Sequence, residues 1–256
     1  MNSSDIILIA NHCREKLQLD DAKLADEYYY RSLPLCVIDT IFSIGARYQS
    51  TRLTVIRFCN RFGLERINFT RYPDPESQIS ISEFLEIFKR FGVEEMANQV
   101  FQNRQRTSTK SGILKADAVW RLGKLLQGYQ VEYLQDVGRI IGDEEFESRF
   151  KSIPGQTSGI SLRYFYMLAG SDDYVKPDRM VDRFLLSVLN KKYSVEEMHQ
   201  AIVGAVKILA DDYPNLTPRL LDNLIWEYQR QLRPRSGRPG SGGAPPGPPD
   251  QTPFIA

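Results

Sequence analysis

Two features of the chain combine residue types suited to chemistry, and they stand 23 positions apart. The first is the run Ile153-Pro154-Gly155-Gln156-Thr157-Ser158-Gly159. One proline and two glycines let the backbone turn sharply. The turn falls between a short amphipathic helix carrying Phe146 and Phe150 and an apolar helix carrying Ile160, Leu162, Phe165, Met167 and Leu168. It leaves amide N–H groups unpaired at the start of the second helix, and such groups hold a phosphate without a charged side chain. The second feature is Asp178. Pro177-Asp178 ahead of Met180, Val181 and Phe184 reads as a helix start with Asp178 as its cap. The same placement would let the carboxylate face a cleft. Lys176, two residues earlier, either contacts a phosphate or is solvated. Asp182, one turn on, is the nearest competing carboxylate, and Asp172 and Asp173 read as loop residues.

Little else in the chain offers catalytic material. The cysteines are Cys13, Cys36 and Cys59, odd in number and confined to the first quarter, which argues against a disulfide framework and fits a reducing, cytoplasmic setting. With only His12 and His199, a zinc site or a Cys–His nucleophile lacks ligands. The N-terminal run Ile6 to Ala10 is too short for a convincing signal peptide, and no apolar stretch reaches membrane-spanning length. The formal net charge is +1, so attraction to nucleic acid must come from a local patch or from backbone amides. One candidate patch is the loop 103–115, which holds Arg104, Arg106, Lys110 and Lys115 and no acid. It reads either as a solvated loop or as a phosphate-contacting one.

The elements that must position these groups read as helices. Expected spans are 20–30, capped by Asp20 and Asp21; 34–46, opened by Pro34; and 50–62, with Leu53, Ile56 and Phe62 near one face and Gly63 as terminator. Ser80 and Glu83 have capping-box spacing for a helix over 80–91 that stops at Gly92. Further helices are expected at 93–103, 115–128, 130–141, 143–151, 160–169, 178–190, 194–212 and 217–232. Strand-like alternation is rare, so the class is all-α. Residues 66–79, with Pro73 and Pro75, read as a surface connection. From Arg233 the chain is dense in Pro and Gly and reads as a disordered tail over 233–256; Arg230, Arg233, Arg235 and Arg238 make its start basic, which suits solubility or a loose DNA tether.

The hairpin Ile153-Pro154-Gly155 through Gly159, followed by Asp178, resembles the helix-hairpin-helix DNA glycosylases, the superfamily of endonuclease III and the bacterial 3-methyladenine glycosylases. The run Pro34-Leu35-Cys36-Val37-Ile38-Asp39-Thr40-Ile41-Phe42-Ser43 resembles that family's first barrel helix. By helix order the likeness extends over about residues 34–232, but only the stretch from hairpin to aspartate is specific.

The resemblance implies a two-lobed helical fold. Residues 35–170 would form a helical barrel lobe with the helix-hairpin-helix at about 143–170. Residues 1–34 and 171–232 would form the second lobe, with DNA across the groove between them. Gly155, Gln156, Thr157, Ser158 and Gly159, with Lys176, would hold the DNA backbone. Asp178 would stabilise positive charge on the deoxyribose as a base leaves and could orient the attacking water. Arg47, Tyr48 and Gln49 would lie beside the extruded base, among available aromatics that include Tyr28, Tyr164 and Trp226.

Departures from the pattern refine the expectation. Thr157 replaces the usual second glycine of the hairpin. Ser158 and Gly159 stand where bifunctional members carry a nucleophilic lysine, which argues against Schiff-base chemistry. No cysteine follows Cys59, so no iron–sulfur cluster can form near the C-terminus. The expected activity is hydrolysis of an N-glycosidic bond by a monofunctional, monomeric DNA glycosylase. It would need no cofactor, although hairpin carbonyls can hold a structural K⁺ or Na⁺. The alternative is a DNA-binding module that keeps the hairpin without chemistry, and a helical protein-interaction domain is a third reading.

Overall fold

A computed structural model describes residues 2–68 and 72–232. Among them the chain is all-helical, with no strand beyond two isolated bridges. Ten α-helices follow in order: α1 Ser3–Lys16, α2 Leu33–Phe42, α3 Tyr48–Phe62, α4 Ile81–Glu95, α5 Lys115–Gly128, α6 Glu144–Ser152, α7 Ile160–Leu168, α8 Arg179–Leu189, α9 Val195–Leu209 and α10 Pro218–Gln231. No described helix is long and apolar enough to cross a membrane. The tail 233–256 lies outside the described residues.

Local chemistry fixes most helix ends. Ser80 and Glu83 form a reciprocal capping box at α4, and Ser194 with Glu197 does the same at α9. Asp143 caps α6 and Thr217 caps α10. Gly63 ends α3 in the left-handed region, where a glycine has no Cβ to clash. Gly92 interrupts α4 where the stop was expected: its φ of 74° and ψ of 160° are non-helical, and the residues up to Glu95 form a separate helical piece beyond it.

Several expected spans differ. Residues 20–30 form no α-helix; only a short 3₁₀ turn covers Asp26–Tyr28. Tyr29 and Tyr30 instead pair with residues 66–68, through Asn68 N–H to Tyr29 O at 2.9 Å and a Tyr30–Ile67 bridge. The expected helix over 93–103 is present from Val93 to Val100, as the last residues of α4 running into a π-helix over Met96–Val100, whereas 130–141 holds only 3₁₀ turns over Leu134–Arg139. Helix α1 has no counterpart among the expected spans. The buried face of α3 is Val55, Phe58 and Cys59 with Thr51 and Thr54, whereas Leu53 is exposed.

The apolar side chains collect in two separate cores. One gathers residues from Tyr30 to Ala169 around α2, α4, α5 and α7. The other joins α1 to α8, α9 and α10, with residues from Ile9 to Leu19 and from Val175 to Ile225. All ten residues of α2 are buried, as expected for a helix that is apolar on nearly every side. Its one charged residue, Asp39, therefore has to find its donors inside the protein.

Candidate functional site

A cavity of about 610 Å³ opens where the two cores meet. Its wall comes from five pieces of chain: the segment with Leu24 and Tyr28, the end of α2 with the turn after it, the hairpin with α7, the segment entering α8, and one face of α10. Arg47, Tyr48, Gln49, Gly155, Ser158, Lys176 and Asp178 all line it, although they are drawn from positions more than a hundred residues apart.

The hairpin sits at one edge. Gly155 and Gly159 both have positive φ, 91° and 73°. A Cβ on Gly155 would lie 2.5 Å from the Thr107 Cβ, so the loop 103–115 packs against the hairpin and only glycine fits there. Two hairpin amides are already used: Gln156 N–H goes to Ile153 O at 2.9 Å and Gly159 N–H to Gln156 O at 3.0 Å. The Gln156 side chain is fully buried and accepts from Ser161 Oγ. Among the described residues, the N–H groups of Gly155, Thr157 and Ser158 donate to no protein acceptor, and these three residues are exposed. Of the five hairpin positions, these are the ones with amides open to a ligand.

Asp178 is the N-cap of α8, and its Oδ1 accepts the Met180 N–H at 2.7 Å. The carboxylate is half-buried, lines the cavity, and forms no ion pair with a basic side chain among the described residues. Beside it is a second carboxyl that sequence reasoning missed. Asp222, on α10, is buried, and its Oδ1 takes the Lys176 backbone N–H at 3.2 Å. Burial first, and the neighbouring Asp178 second, push the Asp222 carboxyl well above the usual carboxylate range.

The floor is a polar cluster in an apolar surround. Asp39 accepts the Tyr30 hydroxyl at 2.7 Å on Oδ2 and the Tyr164 hydroxyl at 3.1 Å on Oδ1. Burial raises the Asp39 carboxyl, while the Tyr30 hydroxyl and the Lys176 charge pull it back down. The Lys176 amine is half-buried. It rests 3.5 Å from the centroid of the Tyr164 ring and donates to Ser43 Oγ at 3.3 Å. Desolvation lowers its pKa, and Asp178, Asp39 and Asp222 act in the opposite direction. Its amine belongs to the cavity wall and not to the outer surface.

An aromatic wall completes the cavity. Tyr48 lies 5.4 Å from Trp226 in an edge-on arrangement and 6.4 Å from Tyr28, ring centre to ring centre. The Arg230 guanidinium sits 4.3 Å from the Trp226 ring centre. Arg47 and Gln49 are exposed at the open edge.

The basic loop 103–115 divides in its roles. Arg104 pairs with Glu94 at 2.8 Å, and Arg106 Nε donates to Gly112 O at 2.7 Å. Lys115 is neither a solvated residue nor a phosphate contact. It is 2 % exposed, and its amine donates to Phe42 O at 2.9 Å, Ile44 O at 2.6 Å and Gln105 Oε1 at 2.9 Å. It ties down the end of α2 from which the cavity turn departs, and burial lowers its pKa to about 8. No group of three or more His, Cys, Asp or Glu side chains among the described residues could hold a metal ion. The three cysteines are buried and unpaired.

A signal for the missed residues was present in part. Asp39 is the only charged residue in Leu33–Phe42, but nothing in the sequence pointed to its tyrosine partners or to Asp222.

Residues 7–230, which include both cores and every cavity residue named above, match the model of a family described as a domain of unknown function, DUF8548. No curated protein and no solved structure matches the chain. The match spans most of the chain, and the protein belongs to the DUF8548 family.

Proposed function

We propose that the protein is a monofunctional DNA N-glycosylase of the helix-hairpin-helix type, with its two cores as the two lobes and DNA lying across the opening between them. The observation that carries the reading is the convergence of hairpin, aspartate and aromatic wall on one cavity. Gly155 and Ser158, Asp178, and Tyr48 with Trp226 line the same space. The open amides of Gly155, Thr157 and Ser158 would hold a backbone phosphate. A flipped base would enter against the aromatic wall of Tyr28, Tyr48 and Trp226. Arg47 and Arg230 would meet the phosphates flanking it.

In this reading Asp178 acts on the sugar. As the bond from C1′ to the base nitrogen lengthens, positive charge grows on the deoxyribose, and a nearby carboxylate stabilises it. Asp222 stands beside Asp178, its carboxyl pushed well above the usual carboxylate range by burial first and by Asp178 second. Water then adds to C1′, and its proton ends on the departing base.

Incubating the protein with DNA from varied sources, and measuring released bases and abasic sites, tests the activity. Asp178→Asn should abolish release. Absence of base release from every substrate, with DNA binding intact, would favour a second reading: a helix-hairpin-helix DNA-binding module without chemistry. The cap that Asp178 forms with Met180 is compatible with that purely structural role.

A further inference from the structure

The cavity floor bears on which base would be taken, through three features. First, the Lys176 amine reaches into the cavity with Ser43 Oγ and the Tyr164 ring face as its contacts, and no carboxylate within ion-pairing distance among the described residues. Second, the floor carboxyl is already engaged, since each oxygen of Asp39 takes a tyrosine hydroxyl. Third, the Trp226 face already carries a cation, the Arg230 guanidinium. The floor therefore presents donors to an incoming edge, and Asp178, the cavity carboxylate without an ion pair among the described residues, is the group that the proposed reaction assigns to the sugar and not to the base.

We infer that the cavity selects neutral bases with an oxo group on the inward edge, and that the Lys176 amine is the specificity-determining donor that reads this oxygen. This rests on the base-excising reading of the same site. Oxo-bearing bases of the uracil or hypoxanthine type meet the requirement. Cationic N-alkylpurines that lack an oxo group do not, because they offer the Lys176 amine no acceptor and add a second positive charge beside it.

The same contact serves the chemistry. When the C1′–N bond breaks, its electron pair stays with the base. In an oxo base that charge spreads onto the ring oxygens, where the Lys176 N–H groups would meet it. The water that adds to C1′ then supplies the proton that neutralises the base, so no further reactant is needed. A site built around one hydrogen-bond donor rejects a partner lacking the matching acceptor far more strongly than an apolar slot does.

The test separates recognition from turnover. Duplexes carry one 2′-fluoro nucleotide, which resists hydrolysis, with uracil, hypoxanthine or 3-methyladenine as its base. Affinities are measured for the wild type, for Lys176→Met and for Ser43→Ala, with thermal unfolding as the check on folding. The wild type should bind the uracil and hypoxanthine duplexes at least about tenfold tighter than the 3-methyladenine duplex, whose base has no oxo group. Lys176→Met should remove that preference. Ser43→Ala, which keeps the amine and loses its hydroxyl partner, should reduce it in part; if Lys176→Met does not fold, this variant carries the test. Equal affinity for all three duplexes, preference for 3-methyladenine, or an unchanged preference in both variants would overturn the inference. Turnover on the matching unfluorinated duplexes reads the parent proposal separately. Selective binding without base release leaves the oxo-base cavity standing and removes the glycosylase. Release of 3-methyladenine in preference to uracil and hypoxanthine keeps the glycosylase and removes the oxo-base cavity.

Discussion

The Asp222 carboxyl takes the backbone N–H of Lys176 at 3.2 Å, so α10 fixes the short segment that places both the Lys176 amine and the Asp178 carboxylate in the cavity. A buried carboxyl with a raised pKa in that position couples the site to pH. An acid whose folded pKa is raised holds its proton longer in the native state than in the unfolded one. Its contribution is fully present below the unfolded value of about 3.8 and is lost as pH rises through the folded value. Asp222→Asn keeps an acceptor for the Lys176 N–H and removes the titration. The variant should therefore gain stability relative to the wild type as pH rises from about 4 to 8. Denaturant unfolding at pH 4, 6 and 8 measures this, and a gap that stays flat or shrinks with pH would place the titration elsewhere.

Asp178 has two roles that one pair of substitutions separates. Asparagine caps a helix about as well as aspartate, whereas alanine costs about 1 kcal/mol. Asp178→Asn should thus leave the melting temperature nearly unchanged and lower single-turnover base release by roughly 100-fold or more. Asp178→Ala should lose both. Near-normal release by the asparagine variant would reduce Asp178 to a cap.

The sequence was most informative where the deciding interactions are local. Ser80 with Glu83, Gly63 and Asp178 mark helix ends through contacts within a few residues, and those ends are found there. Asp20 and Asp21 look like caps as well, but the following tyrosines pair with residues 66–68, and that distant contact replaces the helix. The α1 segment hid its period. Its apolar residues run consecutively from Ile6 to Ala10, and the face made of Ile9, Ala10 and Cys13 becomes apolar packing only against the second core. The site behaved in the same way. The hairpin and Asp178 were visible as motifs, whereas Asp39 depends on Tyr30 and Tyr164, which lie 9 and 125 residues from it in the chain.

The amines of the site bear on covalent chemistry. Ser158 and Gly159 carry no amine, but Lys176 brings one into the cavity. Its contacts with Ser43 and the Tyr164 ring hold it as a hydrogen-bond donor at the floor. Borohydride added during turnover should therefore trap no enzyme–DNA adduct, and denaturing gel electrophoresis should show abasic product with intact strands before alkali. A trapped adduct that disappears in Lys176→Met would reveal an imine-forming enzyme.

The hairpin prediction follows from which amides are open. Gly159 is a poor place to probe them: its φ is 73°, it is buried, and a Cβ there would meet Lys151 Cε at 3.2 Å, so a substitution would strain the turn itself. Thr157 and Ser158 are exposed, and their N–H groups lack protein partners. Ser158→Glu and Thr157→Glu each put a negative charge where a phosphate would sit, with little effect on folding. Each should weaken DNA binding by about tenfold at moderate salt, roughly the worth of one charge-assisted hydrogen bond. Arg47 and Arg230 act differently, as exposed charges at the cavity mouth. Their joint replacement by glutamine should flatten the dependence of log affinity on log salt by about 1.8, since each phosphate contact on duplex DNA contributes about 0.9. The amides carry no net charge and release few counterions, so Ser158→Ala should leave both affinity and slope close to those of the wild type. An affinity series from 50 to 200 mM salt (about the range over which such slopes are resolved) distinguishes the two contributions. If Ser158→Glu and Thr157→Glu fold and bind DNA like the wild type, the hairpin is a joint between α6 and α7 and does not contact phosphate.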